Sequence, residues 1–139
     1  KIKPAFQKKK VVICDRFIDS TIAYQVYGKK VDINFINNIH KKILQGITPN
    51  IVFVLKVSMA SSKKRLKKRK TKNRYDNFSQ SFYNKAQNAF IKLAKKRKNY
   101  FTLNSSLNDN SLEDEIFNIT KKYLNIKWIT QFFLTLKTH

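Results

Sequence analysis

Val11-Val12-Ile13-Cys14-Asp15-Arg16-Phe17-Ile18-Asp19-Ser20-Thr21-Ile22-Ala23-Tyr24-Gln25 is the stretch that decides the fold. Three β-branched residues and Cys14 make a short apolar run of strand type, which delivers Asp15 and Arg16 at its carboxyl end. In open α/β sheets ligands bind beyond the carboxyl ends of the strands, so two charges placed there mark a candidate crevice. From Asp19 to Tyr27 the pattern turns helical, with Ile22 and Val26 on one face, and Gly28 predicts its stop. The unit reads as strand, turn, helix.

Outward from it, Asp32 predicts the cap of a helix to Leu44, with Ile36, Ile39 and Ile43 on one face and Gly46 and Pro49 ending it. Ile51 to Val57 is a near-continuous apolar run, predicting a strand buried on both faces, with Lys56 discordant. Ser61 or Ser62 caps a third helix through a basic segment, which breaks around Thr71 to Asn77. A fourth helix from about Ser79 to Lys96 turns Phe82, Ala86, Ala89, Phe90 and Leu93 inward. Tyr100 to Leu103 is a strand and Asn104 to Asn110 a polar loop. Ser111 and Asp114 resemble a capping box opening a last helix, with Leu112, Ile116, Ile119 and Tyr123 inward. Strands alternating with helices predict an α/β fold with right-handed crossovers and a parallel sheet.

The chain has 139 residues, 42% of them hydrophobic, which suits one domain with a real core and excludes collagenous, mucin-like and purely disordered classes. Its single cysteine forms no internal disulfide and no metal-ligand cluster; within a buried strand Cys14 is expected as a small core residue, and the cytoplasm as the compartment. No run approaches the roughly 20 apolar residues of a membrane span. The first residue is Lys1 rather than Met, and the expectation is a fragment.

Thirty Lys or Arg against eight Asp or Glu give a formal charge of +22, which draws polyanions without specifying them. Nine of the twelve positions from Lys63 to Arg74 are basic, with a weaker cluster at Lys95, Lys96, Arg97 and Lys98. One reading is a nucleic-acid-binding module using that run on phosphates and Tyr75, Phe78 and Tyr83 for stacking. The other begins at Arg16, whose planar fork of donors matches phosphate oxygens, with Asp15 beside it to orient the arginine or hold a magnesium shell. Ser20, Thr21, Tyr24 and Gln25 follow within one and a half turns, and hydroxyls, an amide and a ring suit a nucleobase.

In this order the pieces resemble the thymidylate kinase family. Asp15 to Gln25 is similar to its nucleoside-monophosphate signature, Pro49 to Val57 to its strand after Pro-Asp, and Arg65, Arg69 and Asn73-Arg74-Tyr75-Asp76 to its basic lid; Phe82 to Ala94 matches the helix after that lid. The resemblance covers residues 1–124, with the acceptor motif at 11–28 and the lid at about 63–78, leaving 125–139 as a tail of unread role. It implies a P-loop nucleoside-monophosphate-kinase fold, a parallel sheet with flanking helices, and transfer of the γ-phosphoryl group of ATP to thymidine monophosphate with Mg2+. By the same resemblance Arg16 would hold the acceptor phosphate, Asp15 would support the magnesium and phosphate site, and Ser20, Thr21, Tyr24 and Gln25 would line the thymidine pocket. Arg65, Arg69 and Arg74 would belong to the lid, Arg69 and Arg74 acting in catalysis, and the enzyme would be a homodimer without membrane attachment.

The chain contains no Gly-x-x-x-x-Gly-Lys stretch; its two glycines are Gly28 and Gly46. The family places that loop and its first strands ahead of the region matched here, so the fold is expected to be incomplete, with apolar strand faces exposed, and the fragment inactive alone. Val26, Asn50, Lys56 and Gln87 depart from common family residues, which keeps another nucleoside monophosphate kinase as an alternative.

Overall fold

In a computed structural model, residues 2–68, 78–107 and 109–125 are described. They divide into two units, the first made of residues up to Ile47 with Gln80–Phe90, the second of Thr48–Ser79 and the residues from Ile91 onward.

The first unit opens with α1 (Ile2–Gln7), whose Lys3 Nζ donates to the Gln45 side-chain oxygen. The predicted buried strand at Val11–Cys14 is not formed: Val11 is 76% and Ile13 68% exposed, and Cys14 is exposed rather than in the core. A β-branched run becomes a strand only when neighbours take up its ladder groups, and no described strand pairs with this one. The apolar exposure expected of an incomplete sheet is therefore present here.

The predicted helix after it is present but divided. α2 (Ile18–Thr21) passes into a seven-residue π-helix (Ile22–Gly28), which closes with the Lys29 N–H shared between the Tyr24 and Gln25 carbonyls at 3.1 and 3.2 Å. Gly28 is thus its last residue rather than the stop beyond it, and its role is spatial. A Cβ at Gly28 would stand 2.5 Å from Phe82 Cε2.

α3 (Ile33–Leu44) matches its prediction, since Asp32 Oδ1 accepts the Phe35 N–H at 2.7 Å, an N-cap that satisfies one orphan donor. Its end is conformational: Gln45 lies in the left-handed region (φ 49°), as does Gly46 (φ 86°). Ile36 is buried, but Ile43, expected on the same inward face, is 70% exposed.

In the second unit, β1 (Val52–Lys56) and β2 (Tyr100–Asn104) pair in parallel, Val52 opposite Tyr100 through Lys56 opposite Asn104. Asn99 Nδ2 staples the strand entrances by donating to the Pro49 and Asn50 carbonyls, both at 3.0 Å. Val54, Tyr100 and Leu103 are buried, and the Phe53 and Phe101 rings meet across the register at 5.9 Å. The expectation that β1 is buried on both faces fails at Leu55, 39% exposed, because β1 has one described neighbour and an uncovered face.

α4 (Met59–Lys68) is capped one turn earlier than predicted, by Ser58 rather than Ser61 or Ser62: Ser58 Oγ accepts the Ser61 N–H at 3.2 Å. α5 (Gln80–Lys95) buries Ala86 and Ala89 of the predicted face and also Ala94, which lay outside it, while Phe82, Phe90 and Leu93 are half-buried; the helix contributes residues to both units. α6 (Ser111–Tyr123) lacks the predicted capping box. Asp109 Oδ1 instead accepts the Ser111 N–H at 3.1 Å, satisfying from outside the helix the group Asp114 was expected to help organise. Ile116 is buried as expected, whereas Tyr123 is 47% exposed. Among the described residues no helix is long and apolar enough to cross a membrane.

Candidate active site

Asp15 and Arg16 sit at an exposed turn between the unpaired run and α2. Arg16 has φ 62°, a left-handed conformation costing a non-glycine residue roughly 1–2 kcal/mol, and the Cys14 thiol donates to the Arg16 carbonyl at 3.6 Å. Such strain concentrates at ligand-gripping positions. Arg16 Nη1 donates to Tyr24 Oη at 3.5 Å, and Arg16 Cζ lies 5.6 Å from the Tyr24 ring centroid. The turn and the helix after it therefore bring together the predicted phosphate-gripping arginine and one of the predicted pocket residues.

Ser20 and Thr21 belong to α2, while Tyr24 and Gln25 belong to the π-helix, and all four are half-buried. A π-helix bonds each N–H five residues back rather than four, so the α-helical spacing assumed for these side chains does not hold across Ile22. Asp19, between the turn and the pocket residues, is 7% exposed.

Sequence reasoning placed Phe82 and Phe90 in the core and missed their second role. Their rings flank Tyr24, Phe82 tilted at 5.8 Å and Phe90 edge-on at 6.1 Å between centroids. The available signal was Gly28, one of two glycines in the chain, set where a helix needs to admit a neighbour.

Arg65 belongs to the second unit, on α4, where Nη2 donates to the Ser105 carbonyl at 2.5 Å and the Leu107 carbonyl at 3.5 Å. Ser61 Oγ donates to the Ser106 carbonyl at 3.3 Å, and the Ser58 N–H donates to Ser106 Oγ at 2.8 Å. Residues 58, 61 and 65, spaced three and four apart on one helical face, thus hold the segment after β2. Arg69, Arg74 and most of the predicted lid lie outside the described residues, as do residues 126–139 of the tail.

A family model for thymidylate kinase matches residues 1–116. The chain belongs to the thymidylate kinase family. Among curated relatives, the thymidylate kinase of Wolbachia pipientis wMel is 42% identical over 118 residues, covering 83% of this chain and 58% of that protein. The thymidylate kinase of Mesomycoplasma hyopneumoniae strain J is 33% identical over 124 residues, 88% of this chain and 59% of that protein. The crystal structure of thymidylate kinase from Ehrlichia chaffeensis superposes with a TM-score of 0.63 at 29% identity, covering 86% of this chain and 55% of that one. The fold is accordingly of the thymidylate kinase type, and the chain spans a little over half the length of the relatives it matches.

Proposed function

We propose that this chain supplies the acceptor-binding part of a thymidylate kinase, which transfers the γ-phosphoryl group of ATP to thymidine monophosphate. The observation that carries the reading is the Arg16–Tyr24 pair within the Asp15–Gln25 stretch: a guanidinium at an exposed turn, beside a half-buried row of hydroxyl, amide and ring. Arg16 would grip the monophosphate through charge-assisted hydrogen bonds, and Ser20, Thr21, Tyr24 and Gln25 would border the nucleoside. Phosphoryl transfer asks little covalent chemistry of a protein; cations that position and neutralise the reacting oxygens do most of it. Arg69 and Arg74 are assigned to that neutralisation on the sequence resemblance.

Among the described residues no three His, Cys, Asp or Glu side chains come together as a metal cage. Magnesium needs none, since it keeps several waters and takes phosphate oxygens with one or two carboxylates, and exposed Asp15 beside Arg16 fits that pattern through water. Bound there, the ion would neutralise phosphate charge. The resemblance extends the proposal to a homodimer acting in the cytoplasm.

Calorimetry on the 139-residue chain tests this, titrating thymidine monophosphate, other nucleoside monophosphates and a random oligonucleotide at two salt concentrations, with ATP turnover assayed in parallel. Base-selective monophosphate binding without turnover is the expected result, the chain having no glycine-rich phosphate loop. Oligonucleotide binding that collapses with salt, with no monophosphate preference, would overturn it in favour of a nucleic-acid module.

A further inference from the structure

We propose that Tyr24 is a positioning residue for the Arg16 guanidinium and that Phe82, packed over Gly28, holds Tyr24 in that place; this rests on the phosphate-gripping role given to Arg16 above. An arginine at an exposed turn has many rotamers, and gripping a phosphate costs it that freedom. The Tyr24 ring restricts it beforehand, with Cζ 5.6 Å from the centroid and Nη1 bonded to Oη at 3.5 Å. A guanidinium carries five N–H donors, so one engaged on Tyr24 leaves a fork for phosphate oxygens.

Tyr24 is itself constrained. Phe82 lies against it at 5.8 Å with a 31° tilt and Phe90 meets it edge-on at 6.1 Å. Phe82 occupies its position because residue 28 has no Cβ; one there would come within 2.5 Å of Cε2 and 2.9 Å of Cζ. Gly28, Phe82, Tyr24 and Arg16 therefore form a continuous line of contacts. Phe82 is the third residue of α5, the helix that follows the basic run in sequence and begins six positions after Arg74, so the placement of the acceptor arginine depends on that helix.

The test uses the full chain with 15N-labelled arginine, thymidine monophosphate and thymidine as probes, and the variants Arg16→Ala, Phe82→Ala and the two combined. Phe82→Ala should shift the Arg16 side-chain resonances toward those of a freely rotating arginine. It should also raise the Kd for thymidine monophosphate roughly three- to tenfold more than that for thymidine, which Tyr24 borders as well, and this excess should vanish once Arg16 is alanine. Phe82→Tyr keeps the ring and should restore both signals, whereas a merely structural loss of packing at α5 would weaken thymidine and thymidine monophosphate binding alike. Gly28→Ala reaches the same contact from the other side, and Phe82→Leu serves if the alanine variant does not fold. If Arg16→Ala weakens monophosphate binding but Phe82→Ala leaves it and the Arg16 resonances unmoved, the positioning line is wrong and the acceptor reading stands. If monophosphate binding is absent, or indifferent to Arg16→Ala, both fall together.

Discussion

Arg65 on α4 and Ser105 beyond β2, forty residues apart in sequence, are joined by a 2.5 Å hydrogen bond from guanidinium to backbone carbonyl. The resemblance assigns Arg65 to the lid, yet its donors are engaged on the segment that leaves the sheet. A charge-assisted bond to a half-buried carbonyl is worth roughly 1.5–3 kcal/mol, less where water shares the site. Arg65→Ala is therefore expected to lower stability by about 1–2 kcal/mol in urea denaturation, with Arg65→Lys recovering only part because one ammonium lacks the reach of a planar fork. An unchanged denaturation midpoint would show that the contact contributes nothing net.

Arg16→Ala in a catalytically complete protein should impair use of thymidine monophosphate by roughly 1.5–3 kcal/mol of lost phosphate contact, about ten- to a hundredfold in kcat/KM. Steady-state kinetics with the monophosphate varied would read it. Unaltered kinetics would remove Arg16 from the acceptor site.

Arg69 and Arg74 lie outside the described residues and are proposed as lid arginines on the sequence resemblance. Replacing both by alanine in the complete enzyme is expected to lower turnover while shifting the melting temperature little, because closure over a phosphoryl donor adds charge to the reaction rather than packing to the core. A large thermal loss with normal turnover would contradict that assignment.

The two glycines separate on substitution by alanine, for different reasons. At Gly46, nothing lies within 4 Å of an added Cβ, so the cost comes from φ 86° alone and should be about 1 kcal/mol. At Gly28 the conformation is not left-handed and the cost is a 2.5 Å approach to the Phe82 ring. Gly28→Ala should therefore disturb the near-ultraviolet circular dichroism of the Tyr24–Phe82 cluster while Gly46→Ala leaves it intact.

Cys14 offers a direct measure of the unpaired run. Being exposed, it should react with a thiol reagent in native buffer as fast as in denaturant. Protection of several tenfold would mean that residues 11–14 are covered in solution.

Much of this fold was legible because it is written in local chemistry. Asp32 and the Ile51–Val57 run announce their elements through capping and continuous apolar character, and α3 and β1 formed where those signals lie. The failures share a cause: each depended on something distant. Val11–Cys14 has the composition of a strand but no described partner, and Ile43 has the right helical phase but is left 70% exposed by the described residues. Ser58 displaced Ser61 and Ser62 as the cap because Ser61 is bound to the segment after β2, a contact made across forty-five residues. At the site, residue types at Asp15 to Gln25 announced their chemistry, whereas the aromatic setting of Tyr24 comes from a helix more than fifty residues away and has no local signature.

The π-helix at Ile22–Gly28 has a consequence for how the sequence can change. A π turn accommodates one residue more than an α turn between bonded groups, so the segment stores a residue of slack. Removing one residue between Ile22 and Tyr27 would take up that slack by letting the backbone close into the more stable α form, with little net rotation of what lies beyond. Side chains along this stretch are thus open to exchange where they face solvent, and so is one residue of its length, provided that Gly28 still meets Phe82 and Tyr24 still meets Arg16; a further insertion has no slack to enter and would part those pairs.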